Sequence, residues 1–451
     1  MTDAVLFNNL WMIFSALLVF LMTVAIGFLE YGELGKRYSN SLIKTILIMG
    51  TAIFLMALIG FNLAFAPTYY GVIGIPTYNS FFFGSSSSGT SSGTSAIIEG
   101  TWWSMTSHYF GTGLTTGTYF LYETAFASVT LAIVGVVALR KMKLSAFLAY
   151  SVVYYTLIWT LPAAWIWNPT GWLYRLGVRD FGGGLVVHAA AGFAGLAIVL
   201  KIWREERGKG HSESPQAVIS INPAWLTLSI VLLWIGWFGF NAGSILAFNG
   251  ETIIVGLNTF LGAASALIST MFFRFLITKK DPGYLYAING ILVGLILMSP
   301  LSGYISPAVA IAIGLVGGPL FLVGERVMTR KWYSDPIGLF PTHLLMGLIG
   351  FIMIAFVAQT GFSSVSGAAN LPNGLIFGGG VSALRQLEVQ SLAILVVAAF
   401  VFSLSYVSLW VIGKLTNGIT TGYEKSITGA LIIETPNNPI SVNTGTREGK
   451  K

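Results

Sequence analysis

Around residue 188 the chain reads DFGGGLVVHAAAGFAG (Asp180–Gly195), and around residue 343 it reads DPIGLFPTHLLMGLIG (Asp335–Gly350). Both stretches fit one pattern: Asp, seven residues, His, three residues, Gly, two residues, Gly. Each histidine lies within an apolar run. Positions i, i+4 and i+7 share a helix face, so the two glycines of each copy lie on the histidine's side of its helix. Small residues there let a second helix approach closely. The competing explanation is chance agreement in a chain that holds 53 glycines.

The surrounding composition says what kind of helices these are. Charged residues make up 9% of the 451, hydrophobic residues 55%, and the mean hydropathy is +0.76. A soluble domain carries about 25% charged residues. A bilayer accommodates such a chain, provided backbone polar groups are satisfied within helices or a closed barrel. The apolar runs are about 20 residues long rather than alternating ten-residue strands, which selects helices. Cysteine is absent, which excludes disulfides and thiolate metal sites. The N-terminus carries Asp3 and no basic stretch, so no cleavable signal is evident and the first run is expected to stay as a span.

Apolar runs between polar breaks predict eleven spans, at 6–28, 42–65, 118–139, 144–163, 181–203, 223–247, 252–277, 284–302, 304–328, 337–359 and 388–414. Lysines and arginines test that count. Alternate connections with the span ends that flank them, together with the tail, hold 21 of them, including Arg140, Lys141 and Lys143, whereas the intervening connections hold only Arg175, Arg179 and Arg385. The positive-inside rule then puts the N-terminus outside and the C-terminus in the cytoplasm, which requires an odd number of spans. The net charge of +7 follows this pattern and gives no sign of a nucleic-acid partner. The connection at 66–117 is the longest outside, with a Gly/Ser/Thr stretch from Gly84 to Ser95 and interface-type aromatics Trp102, Trp103 and Tyr109.

With these spans the two histidines fall in the fifth and the tenth, which run in opposite directions. Two five-helix halves of opposite orientation are an inverted repeat, and such folds place their site near the midplane where the halves meet. His188 and His343 are then expected to be neighbours. An ionisable residue at membrane depth is functional by default, the plainer reading being a histidine satisfied by a carbonyl. His108 and His211 fall in connections, where a solvated role is the default. Asp180 and Asp335 each precede a helix and are read as caps of its N–H groups, with a cation contact as the lesser reading for Asp180.

At these residues the sequence resembles the ammonium transporter family (Amt/Mep type, with the Rhesus proteins as distant relatives). The matching stretches are DFGGGLVVH at 180–188, LWIGWFGFNAGS at 233–244 and DPIGLFPTH at 335–343, with a looser match, YETAFAS, at 122–128. The resemblance runs from the first span to the last. It implies an all-α polytopic fold of eleven helices in a cell membrane: two inverted five-helix halves (about 6–203 and 223–359), a last helix at about 388–414, and a cytoplasmic tail at 416–451. It also implies a homotrimer with one pore per subunit. By position, Phe126, Trp167 and Ser244 look like an outer site that recruits ammonium, and Phe126 with Phe240 like a stacked gate. His188 and His343 look like twin pore histidines, Asp180 like the acidic residue at the pore entrance, and Trp237 and Leu233 like further lining. No cofactor is implied.

The chain departs from the family pattern at three places. Glu30 and Glu33 flank Tyr31 where an aromatic residue and two glycines are usual. Glu123 stands where Gln is common. The tail reads GYEKSITGALIIETP at 422–436 instead of an acid run before Gly-Leu-Asp, which argues against docking of a PII-type regulator.

The chemistry expected of such a pore follows from the residue types. An aromatic pair attracts a cation, and a hydroxyl accepts an N–H that potassium lacks. Trp167 alone would read as an interface tryptophan. Apolar walls penalise the charged form, so ammonium sheds a proton there, and neutral imidazoles donate to or accept from ammonia. The alternatives are an ammonium sensor that conducts slowly, a Rhesus-type gas channel, and an intramembrane enzyme. The last is disfavoured because no third metal ligand or nucleophile stands at suitable spacing.

Overall fold

A computed structural model describes residues 3–34, 40–74, 113–138, 141–208, 221–328, 335, 338–364 and 367–421. His108, His211, Trp102, Trp103, Tyr109 and the tail beyond 421 lie outside the described residues. Among the described residues ten helices are long and apolar enough to cross a membrane: α1 (Asp3–Glu33), α2 (Leu42–Phe65), α3 (Thr116–Ala138), α4 (Leu144–Ile166), α5 (Gly184–Gly208), α6 (Pro223–Ile245), α7 (Gly250–Thr278), then α9 (Pro307–Met328), α10 (Phe340–Val357) and α11 (Gly380–Leu415). Between α7 and α9 runs a shorter apolar helix, α8 (Tyr284–Met298). The expected number of apolar helices is met.

The main correction concerns the eighth and ninth spans. Helix α8 ends at Met298 rather than 302, and α9 begins at Pro307 rather than 304. Pro300 cannot continue a helix, and the turn from Ser299 to Ile305 is buried throughout. Non-helical backbone at membrane depth is tolerated when protein surrounds it. Helix α11 starts eight residues before the expected boundary and is 36 residues long.

Helix α3 is buried along nearly its whole length, Leu121 being exposed, as a helix without a polar face must be when neighbours surround it. By contrast, Leu10, Phe14 and Leu17 of α1 and Ile268 and Phe272 of α7 are exposed, a lipid-facing pattern. The first helices of the two halves run antiparallel. Gly239 of α6 lies against Leu18 and Gly236 against Met22, while Gly32 lies against Leu226.

The fifth helices, α5 and α10, run antiparallel as well. A Cβ at Gly347 would stand 2.7 Å from the Gly184 carbonyl and 2.9 Å from His188 Cβ. One at Gly192 would stand 2.5 Å from Leu344 Cβ, beside His343. The motif glycine of each half thus receives the neighbourhood of the other half's histidine, the close approach that small residues permit.

Candidate functional site

Both histidines are carried on π-helical turns, Gly184–Ala189 opening α5 and Phe340–Leu344 opening α10. Such turns mark local departures from regular helix and recur at functional sites. Their openings are built alike. Asp180 accepts from the N–H groups of Gly184 (2.6 Å), Leu185 (2.9 Å) and Val186 (2.9 Å). Asp335 accepts from Leu339 (2.7 Å) and Phe340 (3.0 Å). Each carboxylate reaches forward across a turn to the orphan donors of its helix, which is the capping role at longer range than an adjacent cap residue. Gly183, with φ +106, makes the bend that permits this for Asp180, and a side chain there would be strained. Burial pushes the Asp180 carboxyl up to about 6, with the N–H groups of Val186, Leu185 and Gly184 pulling the other way. Asp335 is likewise pushed up to about 6 by burial, opposed by the N–H groups of Phe340, Leu339 and Gly338.

These openings bring the imidazoles together. His188 Nδ1 and His343 Nδ1 are 3.2 Å apart, so one ring donates and the other accepts. The His188 ring lies in stacked orientation against Trp237 on one contact and Phe240 on another, at centroid distances of 5.5 and 5.6 Å. Its Nε2 stands 3.1 Å from the hydroxyl of Ser299, which also accepts the Trp237 indole N–H at 2.9 Å.

Ser299 was not among the residues expected at the site. A serine closing an apolar run has no periodic signal; it sits in helical conformation at the end of α8, its N–H bonded back to the Leu295 and Ile296 carbonyls. The hydroxyl has one hydrogen and two acceptors in reach, His188 Nε2 and the Leu295 carbonyl at 3.1 Å. Donation to Leu295 leaves the hydrogen on His188 Nε2 and makes His343 the donor between the rings. Donation to His188 reverses that order. The serine rotor and the tautomer of the pair are therefore coupled.

On one side of the histidines, Phe126 and Phe240 stack at 4.4 Å with 30° between their planes. Beyond them the Trp167 ring meets Phe126 edge-on at 5.6 Å, its indole N–H donating to the Asp180 carbonyl at 2.7 Å. That bond fixes the ring within the site. Ser244 donates to the Phe240 carbonyl at 2.9 Å, which leaves its oxygen lone pairs able to accept. Tyr122, also not expected, joins these groups: its ring is 4.8 Å from Phe126 and its hydroxyl 3.2 Å from Ser244. Its place one helical turn before Phe126 does not by itself reveal the contact with Ser244, 122 residues away.

On the other side, a narrow cavity of about 20 Å³ lies beside His188 and His343. Leu233, Trp237 and Phe240 line it from α6, Val129, Ile133 and Val136 from α3, and Met22, Ile26 and Leu29 from α1, with Leu292 and Leu339 completing the wall. The two imidazoles are the polar groups of an otherwise apolar wall. Among the described residues no cluster of three or more His, Asp or Glu is arranged to hold a metal ion.

The sequence profile of the Ammonium Transporter Family matches residues 10–430. An ammonium transporter of Bacillus subtilis is 30% identical over 434 residues, covering 93% of this chain and 95% of that protein. The ammonium transporter Amt1 of Archaeoglobus fulgidus is 29% identical over 372 residues, 82% of this chain and 84% of its own length. Among solved structures, a sensor Amt protein superposes with a TM-score of 0.79 at 24% identity, covering 96% of this chain and 99% of the other. Mep2 of Candida albicans superposes with 0.78 at 20% identity, covering 93% and 87%. At these identities the two structures speak to the fold.

Proposed function

The chain belongs to the ammonium transporter family, and from that membership together with the passage just described we propose how its residues act. The protein is a multi-pass membrane protein that transports ammonium rather than an enzyme. Trp167 and Phe126 attract the cation through their ring faces, worth about 0.5–2 kcal/mol depending on desolvation, and Ser244 accepts one of its N–H groups. Asp180 acts by capping α5 and so orienting His188. The Phe126–Phe240 stack closes the entrance.

Beyond the stack the wall is apolar, and a charged species pays the cost of leaving water. Ammonium escapes most of that cost by releasing its proton to water at the outer mouth, which potassium cannot do. His188 and His343 then exchange hydrogen bonds with ammonia, with Ser299 switching which ring donates. Leu233 and Trp237 keep the path narrow. The single observation that carries this reading is the 3.2 Å contact between the two Nδ1 atoms inside an apolar cavity.

The same reading places α1–α5 and α6–α10 as inverted halves, the N-terminus outside and the C-terminus in the cytoplasm, and three copies in a homotrimer with one pore each. Ammonium uptake into vesicles holding the purified full chain tests it. Saturable uptake is expected; saturable binding with no flux would instead make the protein a sensor.

A further inference from the structure

The pore-facing stripe of α1 does not stop where the apolar lining stops. Met22, Ile26 and Leu29 face the cavity at helical spacing, and one more step of four residues reaches Glu33. Glu33 is 2% exposed, and its Oε2 has no hydrogen-bond partner among the described residues. Its surroundings are charged. Glu30, a turn earlier, holds Lys44 at 2.6 Å, with both side chains buried. Asp335 stands within electrostatic reach of Glu33 and one turn before the lining residue Leu339.

Lys44 neutralises Glu30, and the N–H groups of Leu339 and Phe340 support Asp335. Glu33 is left without a counter-charge among the described residues. A buried carboxylate in that position either holds a proton or takes a cation. The pore ending at Leu29 delivers a base that becomes a cation by accepting one proton.

We propose that Glu33, with Asp335 nearby, forms an inner cation station at the end of the passage opposite the phenylalanine stack, taking ammonium or a monovalent cation of similar size. This rests on the pore reading given above. Ammonia arriving from the histidines takes the carboxyl proton: the Glu33 O–H bond breaks, an N–H bond forms, and the ammonium produced is held by the carboxylate left behind. When the cation departs, Glu33 takes a proton back from the aqueous side.

Thallium(I), a monovalent cation close to ammonium in size, serves as the probe. Crystals of the full chain grown in a thallium salt are expected to show anomalous density beside Glu33 Oε2, and crystals of Glu33→Gln to lack it. In vesicles, Glu33→Gln is expected to lower ammonium flux roughly tenfold, the loss of one charge-assisted contact, with Glu33→Asp retaining more. A Glu33 that only pairs with Lys36 or Arg37 would show no thallium density, and that result overturns the station. Absence of flux in the unmodified chain would overturn the pore reading instead, so the two failures are distinct.

Discussion

Trp237 and His188 both reach the hydroxyl of Ser299, so alanine there strands an indole N–H and an imidazole nitrogen. Ser299→Ala is expected to cost about 1–3 kcal/mol of hydrogen bonding and to lower ammonium flux in vesicles roughly tenfold, with Ser299→Thr restoring it. Trp167 stands against Phe126 of the stacked phenylalanine pair. Trp167→Leu is expected to raise the half-saturating ammonium concentration by roughly 2- to 30-fold with little change in maximal flux, the range that cation–π energies allow. The histidines, the phenylalanine pair and Trp167 were legible because their types are unusual or their motifs specific. Ser299 and Tyr122 were not. Each matters through a partner far away in the chain, Ser299 through His188 and Tyr122 through Ser244, and one-dimensional spacing does not carry that relation.

At the scale of elements, the repeated Asp–His–Gly pattern becomes two π-turns capped from four to six residues upstream. The close crossing of α5 and α10 holds the rings in register. Gly347→Ala places a carbon 2.7 Å from the Gly184 carbonyl, and overpacking of that kind costs about 1–3 kcal/mol. A lower melting temperature in detergent and loss of flux are expected together. Gly361→Ala is the control, because a Cβ there meets nothing within 4 Å, and its melting temperature is expected to stay unchanged. Helix number and approximate position were readable from hydropathy alone, since a run of about 20 apolar residues has few alternatives. The end of α8 was not, because Leu301 and Ser302 extend the apolar run past the Pro300 break while the chain has already turned. The π-turns were also hidden, since one extra residue per turn leaves apolar spacing almost unaltered.

For the whole molecule, the antiparallel pairs α1 with α6 and α5 with α10 make the passage a seam between two oppositely directed halves. Each half supplies one imidazole and the wall around it stays apolar; on the function proposed above, discrimination falls to whether a cation can release a proton. Glu30 and Glu33, departures from the family pattern in the sequence, are both buried and do not face lipid. The central claim, that the paired imidazoles handle a species that has shed its proton, is tested most directly by comparing ammonium uptake with potassium uptake. The measurement uses vesicles carrying the unmodified chain and vesicles carrying the His188→Ala, His343→Ala double variant. The unmodified chain is expected to respond to ammonium and not to potassium, and the double variant to lose that preference or its ammonium flux. A double variant with full ammonium flux and the same rejection of potassium would contradict the account.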